Sequence, residues 1–259
     1  MTELLLSKCG RRDLRTMKLK FMARLFVLII VRLIKFLVST TYFNMAYAAC
    51  TMITELVMCS NDFMFAFFVE ALTAKINNSI KFVQILLFTS QMRREIEREI
   101  KHFSEIRNKI IQYYELRILI TTILNLILLV ISLYWTTMRI VFIHFERFES
   151  YGTFLYFIQP TLCLWTTFYA CHNCTDASRK LLSNLFRKDK RFNLIEHRRT
   201  SSVYLQLCHQ HLRFSIMNAF EMNMRSVCKI ISTLSGFFIL IAQTFKKDFY
   251  QEWTSARMN

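Results

Sequence analysis

Glycine and proline are nearly missing, with 3 Gly and 1 Pro in 259 residues. Tight turns draw on both, so their scarcity excludes a β-rich or α/β fold and argues for long helices. Acidic residues are also short, at 18 Asp/Glu against 34 Lys/Arg, for a net charge of +16. The chain contains no G-x-S-x-G, no Walker loop, no H-E-x-x-H and no paired carboxylates in a polar cleft. An enzyme therefore has no residues to rest on, and no cofactor is implied. A cleavable secretory signal is missing too. Seven Lys/Arg crowd the first 24 residues, and the apolar run after them carries Arg32 and Lys35 and no small-residue cleavage site. That run reads as an uncleaved first span.

Apolar sequence is abundant, with 54% hydrophobic residues and 25 Phe. Five stretches are candidates to cross a membrane: 21–43, 45–72, 118–141, 151–171 and 226–245. The run from Ile118 to Met138 is free of charge and ends in Tyr134 and Trp135, which suit the interfacial aromatic belt. Pro160 is expected to kink or open the fourth span. Arg32 and Lys35 must face the interior of a bundle or snorkel, and pairing with Glu55 across the first hairpin would offset their cost. The eight cysteines sit mostly in apolar runs (Cys50, Cys59, Cys163, Cys228) and read as buried free thiols.

Between the spans lie charged helical patterns. Ile96, Ile100, Phe103, Ile106 and Ile110 share one face of a charge-rich stretch, the mark of a water-exposed helix with one buried stripe. A second amphipathic pattern runs through Cys208, Leu212, Ile216 and Phe220. The expected organisation is an all-α polytopic bundle: a basic leader (1–24), a first hairpin (21–72), cytoplasmic helices (73–117), a second hairpin (118–171), a basic linker with an anchor helix (172–225), a last span (226–245) and a short tail (246–259). Of the 34 Lys/Arg, 27 fall in 1–24, 73–117 and 172–229 and only 5 in 139–150 and 246–259. By the positive-inside rule the N-terminus is cytoplasmic and the C-terminus extracellular. The net charge is then an orientation signal toward membrane lipids, and nucleic acid is not an expected partner. The N-x-S/T sequons at Asn77 and Asn173 fall on the cytoplasmic side and should stay unglycosylated. Cys171-His172-Asn173-Cys174 has no second ligand pair near it, so helix packing is a better reading than a metal site.

The last span organises the rest. Its charge-free part, Ile230–Phe245, rises about 24 Å as a helix. Ser232, Ser235, Gly236, Ile239 and Gln243 fall on one helical face, which calls for water or a partner helix. The spacing predicts a pore-lining or bundle-core helix.

This span resembles the last helix of insect gustatory receptors, where T-Y, five hydrophobic residues and Q-F recur. The matching positions are Gly236-Phe237, then F-I-L-I-A, then Gln243-Thr244. Phe237 is an aromatic substitute for Tyr, whereas Gly236 for Thr and Thr244 for Phe are departures. Upstream, L-Q-L-C-H-Q-H-L-R-F-S-I-M-N-A-F-E-M-N is similar to the family's approach to that helix. The resemblance implies a seven-span fold, here lacking its first two helices. It also implies a taste receptor that is itself a ligand-gated, non-selective cation channel. Four subunits, alike or related, would each give one last helix to the pore, with Ile239, Gln243 and Thr244 as the gate candidates the resemblance implies, and a small-molecule tastant would open it. A non-conducting receptor-like protein is the alternative. A G-protein-coupled receptor requires the opposite orientation, and a transporter usually shows broken helices and internal symmetry.

Overall fold

The structure, a computed structural model, describes residues 11–42, 45–85, 90–142, 147–189, 213–217 and 220–258. Within them lie five helices: α1 (Arg11–Tyr42), α2 (Met45–Ile85), α3 (Ser90–Phe142), α4 (Arg147–Asp189) and α5 (Met224–Met258). A two-stranded antiparallel hairpin, β1 (Ser215–Ile216) and β2 (Phe220–Glu221), precedes α5. The scarcity of glycine and proline shows in the helix lengths. At 53 residues α3 rises about 80 Å, far beyond the roughly 30 Å of a hydrocarbon core. Helices α2, α3 and α4 run unbroken through positions 72, 117 and 171, where the expected segments meet. Pro160 is buried inside α4 and does not end it. Among the described residues, Met52–Val83 and Arg98–Tyr134 are long and apolar enough to cross a membrane by length and composition.

The chain divides into two compact units. The first comprises 1–24, 61–118 and 166–223. Its core is built from heptad-like stripes: Phe65, Val69, Leu72 and Ile76 of α2, Ile96, Phe103, Ile106 and Ile110 of α3, and Phe168, Cys171, Cys174 and Leu181 of α4. The predicted stripe of α3 is thus buried within the protomer, with Ile100 only half covered. Phe65 packs edge-on against Tyr114 and Phe214, 5.7 and 6.3 Å between ring centroids. Across the first hairpin Arg24 pairs with Glu70 at 2.7 Å. The side chains of Arg32 and Lys35, expected to pair with Glu55, lie outside the described residues.

The second unit comprises 25–60, 119–165 and 224–259. Leu129 aside, its α3 segment is polar inside and apolar outside. Thr121, Thr122, Asn125 and Ser132 are buried, while Ile120, Ile123, Ile127 and Ile131 are exposed. Water would impose the reverse arrangement, so this polarity is that of a bundle solvated by lipid.

Two expectations are corrected. Ile216 and Phe220 are cross-strand partners in the hairpin, not members of an amphipathic helix, and Cys208 and Leu212 lie outside the described residues. Cys59 and Cys163 are buried free thiols as expected, but Cys50 and Cys228 are free and exposed.

Candidate functional site

Helix α5 begins after Asn223, a favoured residue for a helix N-cap. The hairpin before it is fastened to α3. Glu115 Oε1 accepts the backbone N–H of Met217 at 2.6 Å, and Arg107 Nη1 reaches the Arg213 carbonyl at 3.5 Å. Met217 holds a left-handed backbone, φ 47°, which costs a non-glycine residue about 1–2 kcal/mol. Its charge-assisted bond to Glu115 offsets that cost. Arg213 and Glu221 close the open end of the hairpin at 3.0 Å. Sequence reasoning missed this element. The signal was the alternation Phe214-Ser215-Ile216 and Phe220-Glu221-Met222, whose apolar members point inward.

Beyond the hairpin α5 is largely uncovered. Val227 is buried, and of residues 228–240 only Ile230 and Leu234 are even half covered. Val227, Ile230 and Leu234 stand three and four residues apart and form the face turned toward the helix's own unit. Ser232, Ser235, Gly236, Ile239 and Gln243 lie on the opposite face and are all exposed, as is Thr244. The native Cys228, one turn before Ser232, falls on that same face and is exposed too. A Cβ added at Gly236 would meet nothing within 4 Å. Three hydroxyls bond their own helix at 2.9 Å, Thr233 to the Lys229 carbonyl, Ser235 to Ile231 and Thr244 to Leu240. Each keeps oxygen lone pairs for water while leaving no unpaired donor in an apolar setting. Ile239 and Leu240, 56% and 63% exposed, require lipid or another chain to cover them.

The other sequence candidates carry less. Cys171 and Cys174 face the core of the first unit, and no group of three or more His, Cys, Asp or Glu able to hold a metal occurs among the described residues. Burial pushes the Cys174 thiol up to about 12, against smaller opposing effects of the Thr73 hydrogen bond and the Arg107 charge. A cleft beneath the hairpin, lined by Phe65, Tyr114, Glu115, Phe214 and Met222 among others, encloses ≈ 10 Å³, room for about one water and not for an organic ligand.

Residues 3–244 match the family model described as 7tm Chemosensory receptor. The chain belongs to that family. Chemosensory receptors of this kind are multi-pass membrane proteins, and the polarity of the α3 segment in the second unit agrees with that. The fold is similar to that of the olfactory receptor OR5 of the insect Machilis hrabei in complex with eugenol. There the TM-score is 0.57 at 13% identity, over 91% of this chain and 70% of that one. A second structure of the same receptor gives a TM-score of 0.56 at 12% identity with equal coverage. At such identities the likeness extends to fold alone. No curated protein matches the chain.

Proposed function

We propose that this chemosensory receptor is a taste-type subunit acting as a ligand-gated, non-selective cation channel. Its last helix lines a pore shared by four subunits, homomeric or with related receptors. The observation that carries the reading is the uncovered small-and-polar face of α5, turned opposite to Val227, Ile230 and Leu234. Four such faces around an axis would give a water-lined path of hydroxyls and amides with apolar rings at Ile239. Such rings close pores by dewetting. Thr244 stands where the resembling receptors carry Phe, so closure there is wider and wetter, and Ile239 is the gate.

The basic inner segments support a cytoplasmic N-terminus and an extracellular C-terminus. The solved olfactory receptor with eugenol supports a small organic ligand. The test is whole-cell current in cells expressing the chain alone and beside a full-length relative, during application of a panel of small organic tastants. A cation current that depends on this chain supports the reading. Surface expression in both settings with no such current favours the non-conducting alternative.

A further inference from the structure

Two thiols meet inside the second unit. Cys59 on α2 and Cys163 on α4 are each 1% exposed, and the Cys163 thiol donates to Cys59 Sγ at 3.2 Å. Gln159, one turn before Cys163, donates from Nε2 to the same sulfur at 3.3 Å. Simple core packing would set apolar atoms against these sulfurs. Instead each faces the other, and an amide proton is aimed at one of them. From 3.2 Å the two sulfurs need to close by only about 1.2 Å to reach the roughly 2.05 Å of a disulfide.

We propose that Cys59 and Cys163 are an oxidisable pair, a modification site for a small uncharged peroxide, whose product is a disulfide stapling α2 to α4. Cys59 gives up its proton and attacks one peroxide oxygen, where the Gln159 amide meets the negative charge developing on sulfur. The O–O bond breaks, an S–O bond forms, and the departing hydroxide takes the proton as water. Cys163 then attacks the sulfenic sulfur of Cys59. The S–O bond breaks, the S–S bond forms, and the second water leaves with the Cys163 proton. Two thiols are oxidised by two electrons, and one peroxide is reduced to two waters. The neighbouring thiol captures the sulfenic acid before a second peroxide carries it to sulfinic acid. Burial protects both sulfurs from charged reagents, whereas hydrogen peroxide is neutral and enters an apolar interior.

The full chain, reconstituted in phosphatidylcholine vesicles, is treated with hydrogen peroxide, alkylated under denaturing conditions and digested for peptide mass spectrometry. The expected product is a peptide linking Cys59 to Cys163, lighter than its parts by two hydrogen atoms and lost on reduction with dithiothreitol. In Gln159→Leu the same link should form several-fold more slowly. In Cys163→Ser, Cys59 should proceed to sulfinic acid. Recovery of both thiols in the unmodified chain at a peroxide dose that oxidises the exposed Cys228 overturns the proposal. Linkage of either cysteine to Cys50 or Cys228 instead overturns it equally.

Discussion

Phe103 offers the most direct test of the first unit. Its side chain is 0% exposed within the buried stripe of α3, and the Lys75 ammonium lies 5.7 Å from its ring centroid. Phe103→Ala removes a buried ring, about 3–5 kcal/mol. It also removes a partly desolvated cation–π contact worth roughly 0.5–2 kcal/mol. The sum is on the order of 5 kcal/mol, a large share of the 5–15 kcal/mol by which typical domains are stable. For a chain of this length each kcal/mol moves the melting temperature about 2–4 °C, so a fall of roughly 10–20 °C is expected. Aspartate would be a poorer probe, since its carboxylate would meet Lys75. Thermal melting of detergent-solubilised protein, followed by size-exclusion chromatography, reads the shift. Lys109→Ala, an exposed position on the same helix, serves as the control and should stay within about 0.5 kcal/mol of the unmodified chain. If Phe103→Ala melts within about 2 °C of the unmodified protein, the stripe is not a core and the account of the first unit is wrong.

Cys174 gives a pH dependence. Its folded value of about 12 lies above the roughly 8.5 of an unfolded thiol. The fold therefore holds the proton the unfolded chain releases, and this contribution is complete below about pH 8.5 and declines as pH rises toward 12. Melting curves between pH 9 and 11 should fall less steeply in Cys174→Ala, and identical slopes would show that Cys174 is not the group. For orientation, a tag after Asn259 should be reached by antibody on intact cells and a tag at Met1 only after permeabilisation; the opposite result would reverse the topology. At the gate, Ile239→Ser should raise resting current while Thr244→Phe leaves it unchanged. A drop with Thr244→Phe and no effect of Ile239→Ser would move the gate to Thr244.

Much of this architecture was legible because helices announce themselves by period. The α3 stripe stood out at 3–4-residue spacing, since a helix half in water must segregate its apolar residues. The expected pairing of Arg32 or Lys35 with Glu55 rests on two cationic side chains outside the described residues. The observed Arg24–Glu70 pair, however, lies nearer the end of the apolar run than the residues the sequence drew attention to. The hairpin was not legible as such. Ile216 and Phe220 are four apart, which fits one face of a helix as well as two ends of a turn, and no glycine marks it. What decides the matter is tertiary, because Glu115 from a helix 102 residues away holds the strained Met217 in place. The exposure of Cys228 also escaped composition. An apolar neighbourhood in sequence says nothing about whether the protomer, lipid or another subunit covers it.

Charged thiol reagents applied to single cysteines along α5 in a Cys228→Ser background, with unmodified Cys228 as a further site, test the pore most directly. Cysteine at 232, 235, 239 and 243, and the native Cys228, should each allow a membrane-impermeant methanethiosulfonate to change the current, while cysteine at 230 and 234 should be silent. Reactivity at 230 and 234 with silence on the Ser232–Gln243 face would contradict the account, because the helix would then present its other side to water.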